Sequence, residues 1–188
     1  SNSNKISNED SSNNTFSISN SLNRYSGTDK LDNSKRINYG ITIDNKSLIL
    51  NLFQSYEFTN NSNFHQENGN NHKLSDLLGS IEYKNINNVN YAFRYDVSDE
   101  FLKEQNINTE IINKHGIVNL SYLDSNSKVN NIVTKDTETL NYSMSSNKFL
   151  KFSKFKISGL YDLQKEINTE YKVGYSYFDE CFGINLDF

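Results

Sequence analysis

Few residues in this chain have the means for chemistry. They include three histidines (His65, His72 and His115), carboxylate pairs such as Asp99-Glu100 and Asp179-Glu180, and Cys181, the only cysteine among 188 residues. A zinc site needs histidine, cysteine or carboxylate ligands at short, characteristic spacings, and none of the histidines has such neighbours. His65 and His72 sit in an Asn-rich stretch that reads as a solvated loop. No nucleophile elbow, phosphate-binding glycine loop or zinc-helix motif is present. Both carboxylate pairs fall where turns are expected, and acidic residues are ordinary there. The reading is a protein with no catalytic residues, no metal and no cofactor. Cys181 remains. It stands directly after Asp179-Glu180, in a turn between two alternating stretches of YKVGYSYFDECFGINLDF, Tyr171 to Phe188.

What positions these residues follows from composition and period. Hydrophobic residues make up only 35% of the chain, yet 12 Tyr and 12 Phe are more than a solvated coil carries. Proline is absent, which removes the commonest interruption of a strand ladder. A net charge of -4, scattered along the chain, leaves no basic face for nucleic acid. No run approaches the roughly 18 apolar residues of a membrane helix, a test that transmembrane barrels escape because only alternate residues meet lipid. The chain begins at Ser1, without Met, and is expected to be a fragment. The abundant Asn is read as a codon-bias effect, and its clusters as loops.

Residues 1–35 form a Ser/Asn-rich loop region, with one short strand admitted around Phe16 and Ile18. From Arg36 the period is two. In NVNYAFRYDV, Val89, Tyr91, Phe93, Tyr95 and Val97 alternate with Asn90, Ala92, Arg94 and Asp96. A helix would mix Arg94 and Asp96 among the aromatics, whereas a strand sends them to the opposite face. The same reading gives strands at Arg36–Asp44, Ser47–Phe58, Leu74–Lys84, Glu104–Ile112, Gly116–Leu123, Asn131–Met144, Lys148–Leu163, Asn168–Phe178 and Cys181–Phe188. A short helix capped by Ser98 is the alternative for SDEFLKEQ. The fold class is all-β: an antiparallel up-and-down meander of about ten strands over residues 36–188, an incomplete segment of a transmembrane β-barrel.

The connections sharpen this. Asn45-Lys46, Asn85–Asn87, Asn113–His115, Ser145–Asn147 and Asp179-Glu180 are short. Thr59–Lys73, Ser98–Lys103, Asp124–Asn130 and Gln164–Ile167 are longer. In a meander alternate turns share one end, so one end is expected to be tight and the other looped, as in outer-membrane barrels. Tyr56, Phe58, Tyr83, Tyr95, Tyr175 and Tyr177 lie where interfacial aromatic girdles belong. A soluble β-sandwich binding module shows the same alternation with its apolar face buried, and periodicity does not separate the two.

Three segments carry a family resemblance. NRYSGTDKLDNSKRINYGI, from Asn23 to Ile41, resembles the Asn-Arg-(Phe/Tyr)-Ser-Gly-x-Asp segment of the lipopolysaccharide-assembly family LptD, also called OstA. Its matching positions are Asn23, Arg24, Tyr25, Ser26, Gly27 and Asp29. LSDLLGSIEY and VNYAFRYDV resemble the family's later strands in the same order. VGYSYFDECFGINLDF, with Asp179, Glu180 and Cys181, resembles its carboxy-terminal cysteine segment. Gly183, Leu186 and Phe188 are also spaced like the terminal β-signal read by the barrel-assembly machinery.

The resemblance implies the carboxy-terminal part of a large barrel of roughly 26 strands, preceded in the family by a periplasmic jellyroll. It implies insertion of lipopolysaccharide into the outer leaflet of the bacterial outer membrane. The implied partners are an LptE-like plug lipoprotein, a periplasmic lipopolysaccharide-transport bridge, the barrel-assembly machinery, lipopolysaccharide and outer-membrane lipid. For Cys181 it implies a disulfide to a cysteine outside this chain. Many members carry two adjacent cysteines, whereas Phe182 follows Cys181 here, so one bridge is implied. A free thiol packed among aromatics is the other reading of Cys181. For the chain as a whole, the alternatives are another outer-membrane barrel, such as a porin or adhesin, and the soluble sandwich.

Overall fold

The structure is a computed structural model and describes residues 34–59, 72–85, 87–146, 152–179 and 181–188. Ten strands follow in chain order: β1 Arg36–Asp44, β2 Leu48–Glu57, β3 Leu77–Lys84, β4 Asn87–Asp96, β5 Phe101–Asn113, β6 Gly116–Val129, β7 Ile132–Ser146, β8 Ser153–Asp162, β9 Ile167–Phe178 and β10 Gly183–Asp187. They form one antiparallel sheet in which every strand pairs with its sequence neighbours, and β1 and β10 are its edges. The expected up-and-down meander is therefore what forms. The two-layer sandwich is not.

Register makes the alternation continuous across the sheet. On one face Ile43, Leu50, Ile81, Tyr91, Ile107, Tyr122, Leu140 and Tyr161 stand opposite one another from β1 to β8. On the other, Glu82, Asn90, Asn108, Ser121 and Asn141 form the adjoining row from β3 to β7. A soluble protein hides its large apolar side chains. Here they face outward: Ile43, Ile81, Ile107, Leu120, Met144 and Tyr171 are all exposed, while the buried residues include Glu57, Asp76, Asp96, Lys103 and Asp124. An apolar face spread over ten strands far exceeds the patches a water-exposed monomer tolerates.

Glycine in the apolar face is covered by aromatic rings. A Cβ built on Gly79 would run into the ring of Phe93, its partner on β4. The ring lies over the backbone that glycine leaves bare, and any side chain there would displace it.

The turns are fixed by Asp or Asn at strand ends. Asp96 Oδ1 accepts from the backbone N–H groups of Ser98 and Asp99, both at 2.9 Å. Asn113 does the same for His115 and Gly116, Asp162 for Gln164 and Lys165, and Asp179 for Cys181 and Phe182. Each side chain stands in for the backbone acceptor of a turn. The helix capped by Ser98 does not form; Phe101 begins β5 instead.

The ends differ in another way than expected. Gln164–Ile167 and Ser98–Lys103 shrink to four-residue turns, and 147–152 is longer than either. Asp124–Asn130 is not a loop: β6 runs to Val129 and turns at Asn130 and Asn131, both at positive φ (51° and 62°). Two consecutive left-handed residues give the tight turn whose twist matches a hairpin, and Asn tolerates that region best after glycine. The polar residues before the turn pair across the hairpin, with Ser127 donating to Asp136 Oδ1 at 2.7 Å. What distinguishes this end is bulging. Register shifts at Arg94/Tyr95, Ser125/Asn126 and Leu160/Tyr161 all lie toward it, the same end as the long connection 58–76.

Candidate functional site

The polar face holds a cluster of charges built by one of these bulges. Arg94 pairs with Glu104, but Tyr95 pairs with Leu102, so Lys103 is the extra residue of β5. Regular alternation from Glu104 would send Lys103 to the apolar face. The bulge returns it to the polar one, a common use of bulges at functional sites. Lys103 is buried, and its Nζ lies 2.7 Å from Asp96 Oδ2 and 3.3 Å from Asp76 Oδ2. Arg94 approaches Asp76 at 3.7 Å and Glu104 at 3.6 Å. Asp76 enters from the connection before β3, so two neighbouring strands and a loop meet here.

Burial dominates the state of Asp76. Loss of water raises its pKa above the ordinary value of 3.8, Lys103 pulls it down, the charge on Asp96 pushes it further up, and Arg94 again lowers it. Two carboxylates share one ammonium, and the shorter contact goes to Asp96. Phe101, buried beside them, has Lys103 and Lys128 at 6.0 and 5.9 Å from its ring centroid. Above the cluster is a cavity of about 520 Å³ lined by Arg94, Lys103, Glu104, Lys128 and Asp136.

Lower on the same face the lining is mostly amide and hydroxyl, with the carboxylates Glu82 and Glu110 among it. Asn88, Asn90, Asn108, Asn119, Asn141 and Ser143 surround a second cavity of about 280 Å³. Thr42 donates to Asn51, and Asn51 to Ser80, in a chain crossing three strands. These asparagines lie within the strands that the alternation predicts. They are the wet side of the sheet, a surface of amide donors and acceptors suited to water or sugar hydroxyls.

Cys181 lies in the turn between β9 and β10, exposed, at the opposite end from the charged cluster. The turn is held by Asp179, which accepts from Cys181 N–H (2.9 Å), Phe182 N–H (2.8 Å) and the Tyr177 hydroxyl (2.9 Å). Those bonds hold the Asp179 carboxyl below its ordinary pKa, with the Cys181 N–H contributing most. The thiol is exposed at the surface and is not packed among aromatics. Gly183 opens β10, Leu186 faces Tyr175 on the apolar side, and Phe188 exchanges backbone hydrogen bonds with Val173 at 2.9 Å. Glu180, His65 and the segment Asn23, Arg24, Tyr25, Ser26, Gly27 and Asp29 lie outside the described residues, as does the strand admitted around Phe16. His72 lines the larger cavity and His115 sits in the turn after β5; among the described residues no group of histidine, cysteine and carboxylate side chains is arranged to hold a metal.

The charged cluster was only half legible in the sequence. Alternation placed Arg94 and Asp96 on the polar face, but Asp76, Lys103 and Glu104 join them through register and a bulge.

An open ten-stranded meander, apolar on one face and lined with amides and buried ion pairs on the other, is the wall of a membrane β-barrel, with the lumen on its polar side. The family model described as "LptD: LPS transport system D" matches residues 1–167, and the chain belongs to that family. This is a family of outer-membrane lipopolysaccharide-transport proteins and not of enzymes, which gives the chain a role in lipopolysaccharide transport and sets aside the porin and adhesin alternatives. The match ends where β9 begins, so Cys181 and β10 lie beyond it. No curated protein matches the chain.

Proposed function

We propose that residues 36–188 are part of the outer-membrane translocon that inserts lipopolysaccharide into the outer leaflet. The polar face accommodates the saccharide and an LptE-like plug; the apolar face meets acyl chains of the outer membrane. The observation that carries this reading is the inversion of burial: Ile43, Ile81, Ile107 and Met144 are exposed on one face while Asp76, Asp96 and Lys103 are buried on the other. Hydrocarbon reverses the usual preference, since apolar side chains gain nothing by hiding from lipid and charges must turn from it. Glycolipid reaches the lumen from a periplasmic transport bridge, and the spacing of Gly183, Leu186 and Phe188 suits recognition by the barrel-assembly machinery.

In this reading Cys181 lies at the periplasmic end, where an oxidising compartment preserves disulfides, and it bonds to a cysteine outside this chain. Its exposure in a turn suits such a reach. Depletion of the full-length protein in cells should leave newly made lipopolysaccharide in the inner membrane. If it arrives at the surface on schedule, the transport assignment fails. A non-reducing gel of full-length protein against Cys181→Ser tests the bridge separately, and equal mobility rules it out.

A further inference from the structure

The outward face is not apolar to its end. On β6 and β7 the outward pairs Val118–Met144, Leu120–Tyr142 and Tyr122–Leu140 are aliphatic or aromatic, but the next pair toward the bulged end is Asp124 with Glu138. Gln105 on β5 stands beside Asp124 in the same row. Gln105 Nε2 donates to Asp124 Oδ2 at 2.9 Å, and Lys135 Nζ lies 2.7 Å from Glu138 Oε2 and 3.6 Å from Asp124 Oδ1. Lys135 reaches them through a bulge of its own. Ser125 pairs with Thr137 and Asn126 with Lys135, so Asp136 is the extra residue of β7. Regular alternation from Glu138 would turn Lys135 to the lumen, and the insertion brings it outward.

Tyrosines from the row below reach up to these groups. Tyr122 donates its hydroxyl to Glu138 Oε1 at 2.8 Å, and Tyr91 to Gln105 Oε1 at 3.5 Å. The arrangement recurs to either side, where Tyr39 donates to Gln54 on β2 at 2.7 Å and Tyr142 to Asn168 on β9 at 3.2 Å. A ring among apolar side chains with its hydroxyl on a polar partner is how tyrosine sits at the edge of a membrane. The charges above the rings are open to their surroundings, with the Lys135 side chain 41% exposed and that of Glu138 24%. An ammonium that open does not face acyl chains. Beyond the cluster β6 runs on from Asp124 to Val129, roughly 17 Å of strand.

We propose that Gln105, Asp124, Lys135 and Glu138 form a contact on the outer wall for the hydroxyl-bearing saccharide of outer-leaflet glycolipid. Hydrocarbon ends at the rings of Tyr91 and Tyr122, and the β6–β7 hairpin beyond them stands in the saccharide layer. Two carboxylates against one ammonium leave the contact negative, which suits sugar hydroxyls and disfavours phosphates. The proposal rests on placing this wall in the outer membrane and goes further by fixing where the wall leaves the acyl chains and what it then meets.

The test places a nitroxide amino acid at Leu120, Gln105 or Val133 of the full-length protein in its native complex, in vesicles of phosphatidylcholine alone or with purified lipopolysaccharide added. Collisions with oxygen report hydrocarbon, and collisions with a water-soluble nickel chelate report the aqueous side. Leu120 is expected to favour oxygen and Val133 nickel. Gln105 is expected to side with Val133 in phosphatidylcholine, and its spectrum to broaden when lipopolysaccharide is added while that of Leu120 stays the same. A Gln105 label shielded from nickel as fully as Leu120 overturns the proposal, because acyl chains or protein then cover the cluster. A nickel-accessible Gln105 label with the same spectrum in both lipids overturns it too, because no saccharide then meets the cluster. Nickel reaching Leu120 as freely as Val133 overturns the membrane placement itself.

Discussion

Lys103 Nζ and Asp96 Oδ2 lie 2.7 Å apart, both side chains almost wholly buried, across the bulge that shifts β5 against β4. The bulge exists in the fold at the place where this pair requires it. Without the extra residue the ammonium would point toward hydrocarbon, and Asp76 and Asp96 would face each other with no cation between them.

Removing the ammonium is therefore costly. Lys103→Met should destabilise the assembled protein by about 3–5 kcal/mol, the usual effect of stranding buried carboxylates. Adding Asp96→Asn to that variant should recover part of the loss. Urea unfolding of the full-length protein in micelles gives both values, and an unchanged midpoint in Lys103→Met would show that the pair does not form.

The pH dependence of this region follows from Asp76. Its folded-state pKa is raised above 3.8, chiefly by burial. The folded protein therefore holds this proton more tightly than the unfolded chain does. The contribution to stability is fully present below pH 3.8 and is lost as pH rises through the folded-state value. Asp76→Asn should flatten that segment of a stability-against-pH curve. Identical curves for variant and wild type would contradict the raised pKa.

Asp179 behaves in the opposite sense. Its pKa is lowered, first by the Cys181 N–H, so its hold on the terminal turn is complete above pH 3.8 and fades as pH falls through the folded-state value. Hydrogen exchange of the Cys181 and Phe182 amides should accelerate in Asp179→Ala at neutral pH. Exchange at the wild-type rate would mean that the turn is held by other contacts.

The face assignment is tested by a pair of neighbours. Leu120 lies in the apolar face, beside Thr109 and Tyr142, and Asn119 in the polar face, beside Glu110 and Ser143. Leu120→Arg should cost about 2–4 kcal/mol, whereas Asn119→Arg should cost far less, because one arginine enters hydrocarbon and the other a wet lumen. Equal costs measured in lipid vesicles would remove the basis for an inside and an outside.

At the β6–β7 hairpin, Asn131 has φ near 62°. Asn131→Val should destabilise by about 1–2 kcal/mol, the penalty for a branched side chain in the left-handed region, and Asn131→Gly should be neutral or better. Thermal unfolding of the two variants in micelles separates them, and a valine variant as stable as the glycine one would exclude this turn.

The alternation of Val89, Tyr91, Phe93 and Tyr95 with Asn90, Arg94 and Asp96 determined from sequence alone that this region is strand, and that aromatics and charges part company. Side chains on a strand must alternate, so one face follows from the other. Short connections likewise determined the meander, and the asparagine pair at 130–131 carried a hairpin signal that the polar run before it concealed. Sequence could not decide which residues meet across strands. Lys103 joins Asp76 and Asp96 because one inserted residue flips a side chain to the other face, and nothing in the local pattern of FLKEQ marks that insertion. Nor could it show that the asparagines line a lumen, because a polar residue reads alike in a loop and on a wet face until register places its neighbours. Local sterics write the period into the chain; the pairing of distant strands, which settles the site, is a property of the assembled sheet.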